Sequence, residues 1–124
     1  MSVPAPRRED QPDGSVKIIF AAPILDIDQP KKHLTLRPPT IRELWEIGDP
    51  LTYVFSEAGA VISTIDRPSL RAWASRLIEG HDADLIGEQR DVALGLLIEE
   101  AILGFFQSAR RRLKPQSAPS SEAA

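Results

Sequence analysis

The chain has 124 residues and no cysteine. A disulfide framework and a thiolate zinc site are therefore excluded, and the composition suits a reducing compartment. Aromatic residues are scarce at 6%, and there are two histidines. His33 and His81 stand far apart, and neither has a metal-ligand partner at i+3 or i+4. They read as a strand-surface histidine and a loop histidine, because imidazole works in catalysis only beside a positioned partner. None of the seven glycines lies in a phosphate-cradling motif. Basic charge is not in excess either. The net charge is −3 and the pI near 5.4, whereas a dedicated nucleic-acid binder needs a net basic face to neutralise phosphates. The opening "MSVPAPRREDQPDGS" has no apolar core of a secretory signal. The most apolar stretch, Val92 to Phe106, is interrupted by Glu99 and Glu100 and is too short to cross a bilayer. A soluble protein is expected.

Hydrophobic residues make up 42% of the chain and charged residues 27%, a balance that supports one globular domain. Residues 1–15 carry three prolines, a glycine and five charges with almost nothing to bury, so a disordered arm is expected there. The stretch 113–124 is rich in Pro, Ser and Ala and is expected to be a disordered tail. Residues 16–112 between them are expected to form a single domain.

Its fold class reads as α+β, with an N-terminal β-hairpin packed on three to four helices. Val16, Ile18 and Phe20 alternate as in a half-buried strand. Pro23 cannot donate to a ladder, so an edge or a bulge is expected around it. Asp28 to Lys32 carries turn chemistry, with Asp opening the turn and Pro30 fixing its φ. Leu34 and Leu36 share one face of the next strand, which Pro38 and Pro39 end. Thr40 to Glu43, "TIRE", has the pattern of a capping box. Ile41, Leu44 and Trp45 follow on one helical face, and Gly48 is placed to stop the helix. Asp49-Pro50 reads as the start of a second helix through Leu51, Val54, Phe55 and Ala58, and "AVISTI" fits either a continuation or an extended segment. Leu70, Trp73 and Leu77 mark a further helix. The final helix is expected from Asp84, capped by Asp82 or Asp84, to the arginines at 110–112. Its stripe of Leu85, Val92, Leu96, Glu99, Leu103 and Phe106 is wider than one flank of a small core requires.

No chemistry converges on these elements. Asp82, Asp84 and Glu88 lack the spacing of a calcium loop, and helix capping accounts for them. Glu99 and Glu100 are neighbours on a helix and point about 100° apart, which suits a polar rim better than a catalytic pair. No serine has the partners of a hydrolase triad. The reading is a binding protein, not an enzyme, with no cofactor and no metal. The partner surface is assigned to Leu96, Glu99, Glu100, Leu103 and Phe106 of the last helix, with Trp73 as an anchor.

The stretch from Val16 to Leu44 resembles the N-terminal part of the tail assembly chaperones of Mu-like and related contractile-tailed bacteriophages. The matching residues are Pro23, Leu34, Leu36, Arg37, Pro39 and Thr40, in a strand that ends Leu-x-Leu-Arg-x-Pro-Thr before a helix. The closing "LIGEQRDVALGLLIEEAILGFF" is similar to the last helix of that family. The likeness covers roughly residues 16–107. It departs at the turn Asp28-Gln29-Pro30, where Asp-Gly is common, and is loose across Ser56 to Pro68. The resemblance implies a chaperone that binds the tape-measure protein before the tail tube polymerises, acts in the host cytoplasm and is absent from the finished virion. The tail tube protein and a second copy of the chain are further candidate partners, and no membrane is implied. The competing expectation is a small antitoxin-like or DNA-binding regulator that uses Arg110, Arg111, Arg112 and Lys114.

Overall fold

The computed structural model describes residues 4–113. The fold is α+β, with an N-terminal sheet region followed by helices. Strands β1 (Arg7–Asp10), β2 (Val16–Asp26) and β3 (Gln29–Leu36) open the chain, and α1 (Ile41–Ile47) follows. The hairpin β4 (Leu51–Phe55) and β5 (Val61–Ile65) comes next. The rest is α2 (Arg67–Leu77), β6 (Ile78–Glu79), α3 (Ala83–Gly87) and α4 (Val92–Leu113). The first three strands and β6 form one antiparallel sheet in the order β1-β2-β3-β6, while β4 and β5 form a separate two-stranded sheet.

Alternation on β2 buries Val16, Ile18 and Phe20, and on β3 it buries Leu34 and Leu36. Against this face pack Leu70, Trp73 and Leu77 of α2 and Leu94, Ile98, Ala101, Ile102 and Phe106 of α4. Trp73 is at the centre. Its ring meets Phe106 edge-on at 5.0 Å, and its indole N–H donates to the carbonyl of Gly48 at 2.8 Å. An apolar body with one satisfied polar handle is what a buried tryptophan requires. Asp66 caps α2 through the N–H of Ser69, with Pro68 in the first turn, where its missing N–H has no consequence.

Four local expectations are corrected. The segment 1–15 was expected to be unpaired, yet Arg7–Asp10 pairs with β2 from Ile19 to Val16. A ladder uses backbone groups and needs no apolar side chain, and the aliphatic stem of Arg8 brings its guanidinium against Gly104 of α4. Residues 1–3 of that arm, and the expected tail beyond Leu113, lie outside the described residues. The β2–β3 turn is Ile27-Asp28, both at positive φ, and Pro30 lies within β3 opposite Leu25 of β2. A two-residue turn with both residues left-handed matches the twist of the strands. Pro23 falls where the β2–β3 register slips between Ile19 and Ile24, which agrees with the expected bulge.

The third correction is the segment after Asp49. It forms a strand, not a helix, because its backbone pairs with β5 along the whole of β4; the Asp49 carboxylate accepting the N–H of Leu51 would suit a helix start equally well. The fourth is the final helix, which is interrupted. Asp82 caps α3, but the polar run Glu88 to Asp91 separates it from α4, with the Gln89 amide donating back to Leu85. The helix α4 then runs to Leu113, long and apolar enough by composition to cross a membrane. One face of it closes the core, and three arginines occupy its last turn.

Candidate functional site

The motif at the end of β3 builds a fixed corner. Thr40 and Glu43 form the capping box in full, each side chain bonded to the backbone of the other residue. The guanidinium of Arg37 grips the carboxylate of Glu43 with both of its terminal nitrogens and donates to the carbonyl of Arg76. The N–H of Arg37 donates to the carbonyl of Leu77. Glu43 is almost wholly buried. The Arg37 hydrogen bond holds its carboxyl down at about 2, against an ordinary 4.5, with help from the N–H of Thr40 and against the opposing effect of burial. The Glu43 carboxylate and the Arg37 guanidinium are taken up by each other and by the backbone, so the corner locks structure.

Gly48 stops α1 with φ of +94°, and the chain enters the hairpin. β4 and β5 are joined by a three-residue loop, Glu57-Ala58-Gly59. The N–H of Ser56 donates to the carbonyl of Ala60, and Gly59 takes a positive φ. That pairing is the three-residue hairpin in which glycine serves the left-handed position. The hairpin is anchored at its base: Leu51 is buried, and the N–H of Asp66 donates to the carbonyl of Pro50. Beyond that base it stands in solvent. Tyr53, Val54, Phe55, Val61, Ile62 and Ile65 are all exposed, Phe55 to 73%.

The end of α4 lies beside one face of this hairpin. Arg110 pairs with Asp49, and its guanidinium sits 4.7 Å over the Tyr53 ring, a cation–π contact that tethers the hairpin to the helix. Between them is an open groove of about 940 Å³, walled by Tyr53, Phe55, Val61 and Leu113 and rimmed by Gln107, Arg110 and Arg111. Among the described residues no acidic side chain lines it. A second exposed apolar set lies on α1, where Ile41, Leu44 and Trp45 share one face and Trp45 is 80% exposed.

The residues assigned from sequence fall on several surfaces. Trp73 and Phe106 are core residues and are unavailable to a partner while the domain is folded. The phase of the buried stripe explains the error. It runs through Leu94, Ile98, Ala101, Ile102 and Phe106, which leaves Val92 and Leu96 exposed. Glu99 pairs with Arg67 at 2.8 Å, Glu100 is exposed and Leu103 is half-buried. His81 is no free loop residue: its Nε2 lies 2.8 Å from the carbonyl oxygen of His33, and its ring meets Phe20 edge-on. His33 is held below the usual histidine range by burial and by the nearby Lys17. Among the described residues no three acidic or histidine side chains converge as a metal site.

The hairpin surface was missed in the sequence, although a signal for it exists. "LTYVF" and "VISTI" are runs rich in β-branched and aromatic residues, separated by a short glycine-containing loop. The helical spacing of Leu51, Val54, Phe55 and Ala58 obscured it. Comparisons with family models, with curated proteins and with solved structures returned no match.

Proposed function

We propose that this protein is a tail assembly chaperone of a tailed bacteriophage or prophage. It binds the tape-measure protein in the host cytoplasm, keeps it soluble until the tail tube assembles, and does not remain in the virion. The observation that carries the binding part of this reading is the β4–β5 hairpin, apolar and exposed on both faces, beside a groove whose charged rim is arginine. Exposed apolar area of this kind marks a protein contact. The basic rim suits an amphipathic helix with an acidic flank, laid into the groove by its apolar side. A long helical chain would offer many such segments. The choice of tape-measure protein rests on the family resemblance at Leu34, Leu36, Arg37, Pro39 and Thr40, residues that build the fixed corner.

The regulator alternative draws on the basic run. Arg110 is already engaged by Asp49 and Tyr53, Arg111 borders the apolar groove, and Lys114 lies outside the described residues. Those contacts favour a protein partner over a phosphate backbone.

The test is co-expression with the tape-measure protein encoded nearby. The wild type keeps that protein in the soluble fraction, and Phe55→Asp combined with Val61→Asp loses this while retaining the helical and sheet signature of the fold. A wild type that does not solubilise the tape-measure protein contradicts the function. A folded double variant that solubilises it fully contradicts the surface.

A further inference from the structure

The hairpin has a property separate from its groove. The N–H of Ser56 donates to Ala60 and that of Asp66 to Pro50. With the register Tyr53↔Ser63, these bonds fix which residues face inward. In an antiparallel ladder hydrogen-bonded and non-hydrogen-bonded pairs alternate. Val54 and Ile62, and Thr52 and Thr64, are therefore the inward-bonding pairs. The backbone N–H and C=O groups of Val61, Ser63 and Ile65 point away from β4, along the free edge of β5.

Among the described residues that edge is bare of the usual protections. Natural proteins guard open edges with lysine, proline, bulges or a covering element. From Leu51 to Ile65 the only charged side chain is Glu57 in the loop, and there is no proline. A two-stranded sheet exposed on both faces is also marginal alone and gains stability from further strands. Three of the six exposed apolar side chains, Val61, Ile62 and Ile65, stand on β5 itself, where a strand added at the edge would meet them.

We infer that β5 is a self-pairing seam, joining antiparallel to β5 of a second copy about a two-fold axis at Ser63. The strand matches itself in that register. Val61 comes opposite Ile65 of the second copy on one face, Ile62 opposite Thr64 on the other, and the small Ser63 opposite its own equivalent. Cross-strand pairs of β-branched residues stabilise sheets, and no like charges are brought together. β4 is less suited, because Leu51 is buried in the domain and Tyr53 lies under Arg110. The result is a four-stranded sheet with the order β4-β5-β5-β4 and two grooves on one face. This inference does not depend on what the groove binds.

The absence of cysteine makes the test clean. Across the proposed axis the two copies of residue 63 form a hydrogen-bonded pair with Cα atoms about 5.5 Å apart, within the range a disulfide spans. Ser63→Cys is expected to cross-link to a covalent dimer under mild oxidation, whereas Ala58→Cys at the loop is not. The wild type is expected to sediment at twice the 13.7 kDa chain mass in the micromolar range. Ser63→Pro removes an N–H that β4 does not use and is expected to weaken the dimer at least ~100-fold, read from the dissociation constant. The inference is overturned by a wild type that stays monomeric, including one whose β5 amides become protected only on a different protein. It is equally overturned by Ser63→Cys cross-linking no faster than Ala58→Cys. A dimer that survives in a folded Ser63→Pro also overturns it, and if that variant fails to fold, the cysteine pair decides.

Discussion

The corner at Arg37–Glu43 and the hairpin at Leu51–Ile65 are close in the chain and opposite in construction. At the corner, buried leucines, a two-pronged ion pair and a complete capping box all specify one geometry. In the hairpin, the backbone ladder and the anchored base hold the shape, and the side chains are left over. A small domain close to its stability limit does not expose six apolar side chains without consequence. The contrast separates residues that keep the domain folded from residues open to something else.

Substitutions should divide accordingly. The largest effect is expected at the core behind the corner: Trp73→Ala removes a fully buried ring and the bond to Gly48, and should cost about 3–5 kcal/mol in urea unfolding. Next comes Glu43→Gln, which leaves Arg37 half-paired and should cost about 2 kcal/mol. The same group predicts a pH dependence. Its folded value, about 2, lies below the ordinary 4.5, so its contribution is full above pH 4.5 and is lost as the pH falls toward 2. Glu43→Gln should flatten the stability curve in that window. Ile27→Asn should act in the opposite direction, raising stability by about 1 kcal/mol. Ile27 is exposed at a positive φ of 49°, a conformation that penalises β-branched residues and suits asparagine. The smallest change in stability is expected from Phe55→Ser in the hairpin, within about 0.5 kcal/mol. If Phe55→Ser destabilises as much as Glu43→Gln, the division is wrong.

Much of the fixed region was legible in the sequence. The alternation of Val16, Ile18 and Phe20, the buried Leu34 and Leu36, the Thr40–Glu43 cap and the stop at Gly48 each follow from local rules. Leu70, Trp73 and Leu77 were legible as one helical face. The hairpin was not, because Leu51, Val54, Phe55 and Ala58 satisfy helical spacing, and short apolar runs satisfy more than one period. What decides is the pairing of Leu51–Phe55 with Val61–Ile65, a tertiary feature that the local Asp-Pro cap does not encode. β1 was illegible for a different reason, since its pairing is purely backbone. The interior position of Phe106 and the outward position of Leu96 depended on which apolar face of α4 the core takes, since Leu94, Ile98, Ala101 and Ile102 form one and Val92 and Leu96 lie on another.

The most direct test excises the upper hairpin. Thr52 and Thr64 are an inward-bonding pair, so Tyr53–Ser63 can be replaced by Asn-Gly, a two-residue turn that closes such a pair. The shortened chain would be measured by urea unfolding and by co-purification of the tape-measure protein. The account predicts a cooperative domain within about 1 kcal/mol of wild type that no longer retains the tape-measure protein. A shortened chain that retains it as well as wild type, or one that no longer folds, would contradict the account.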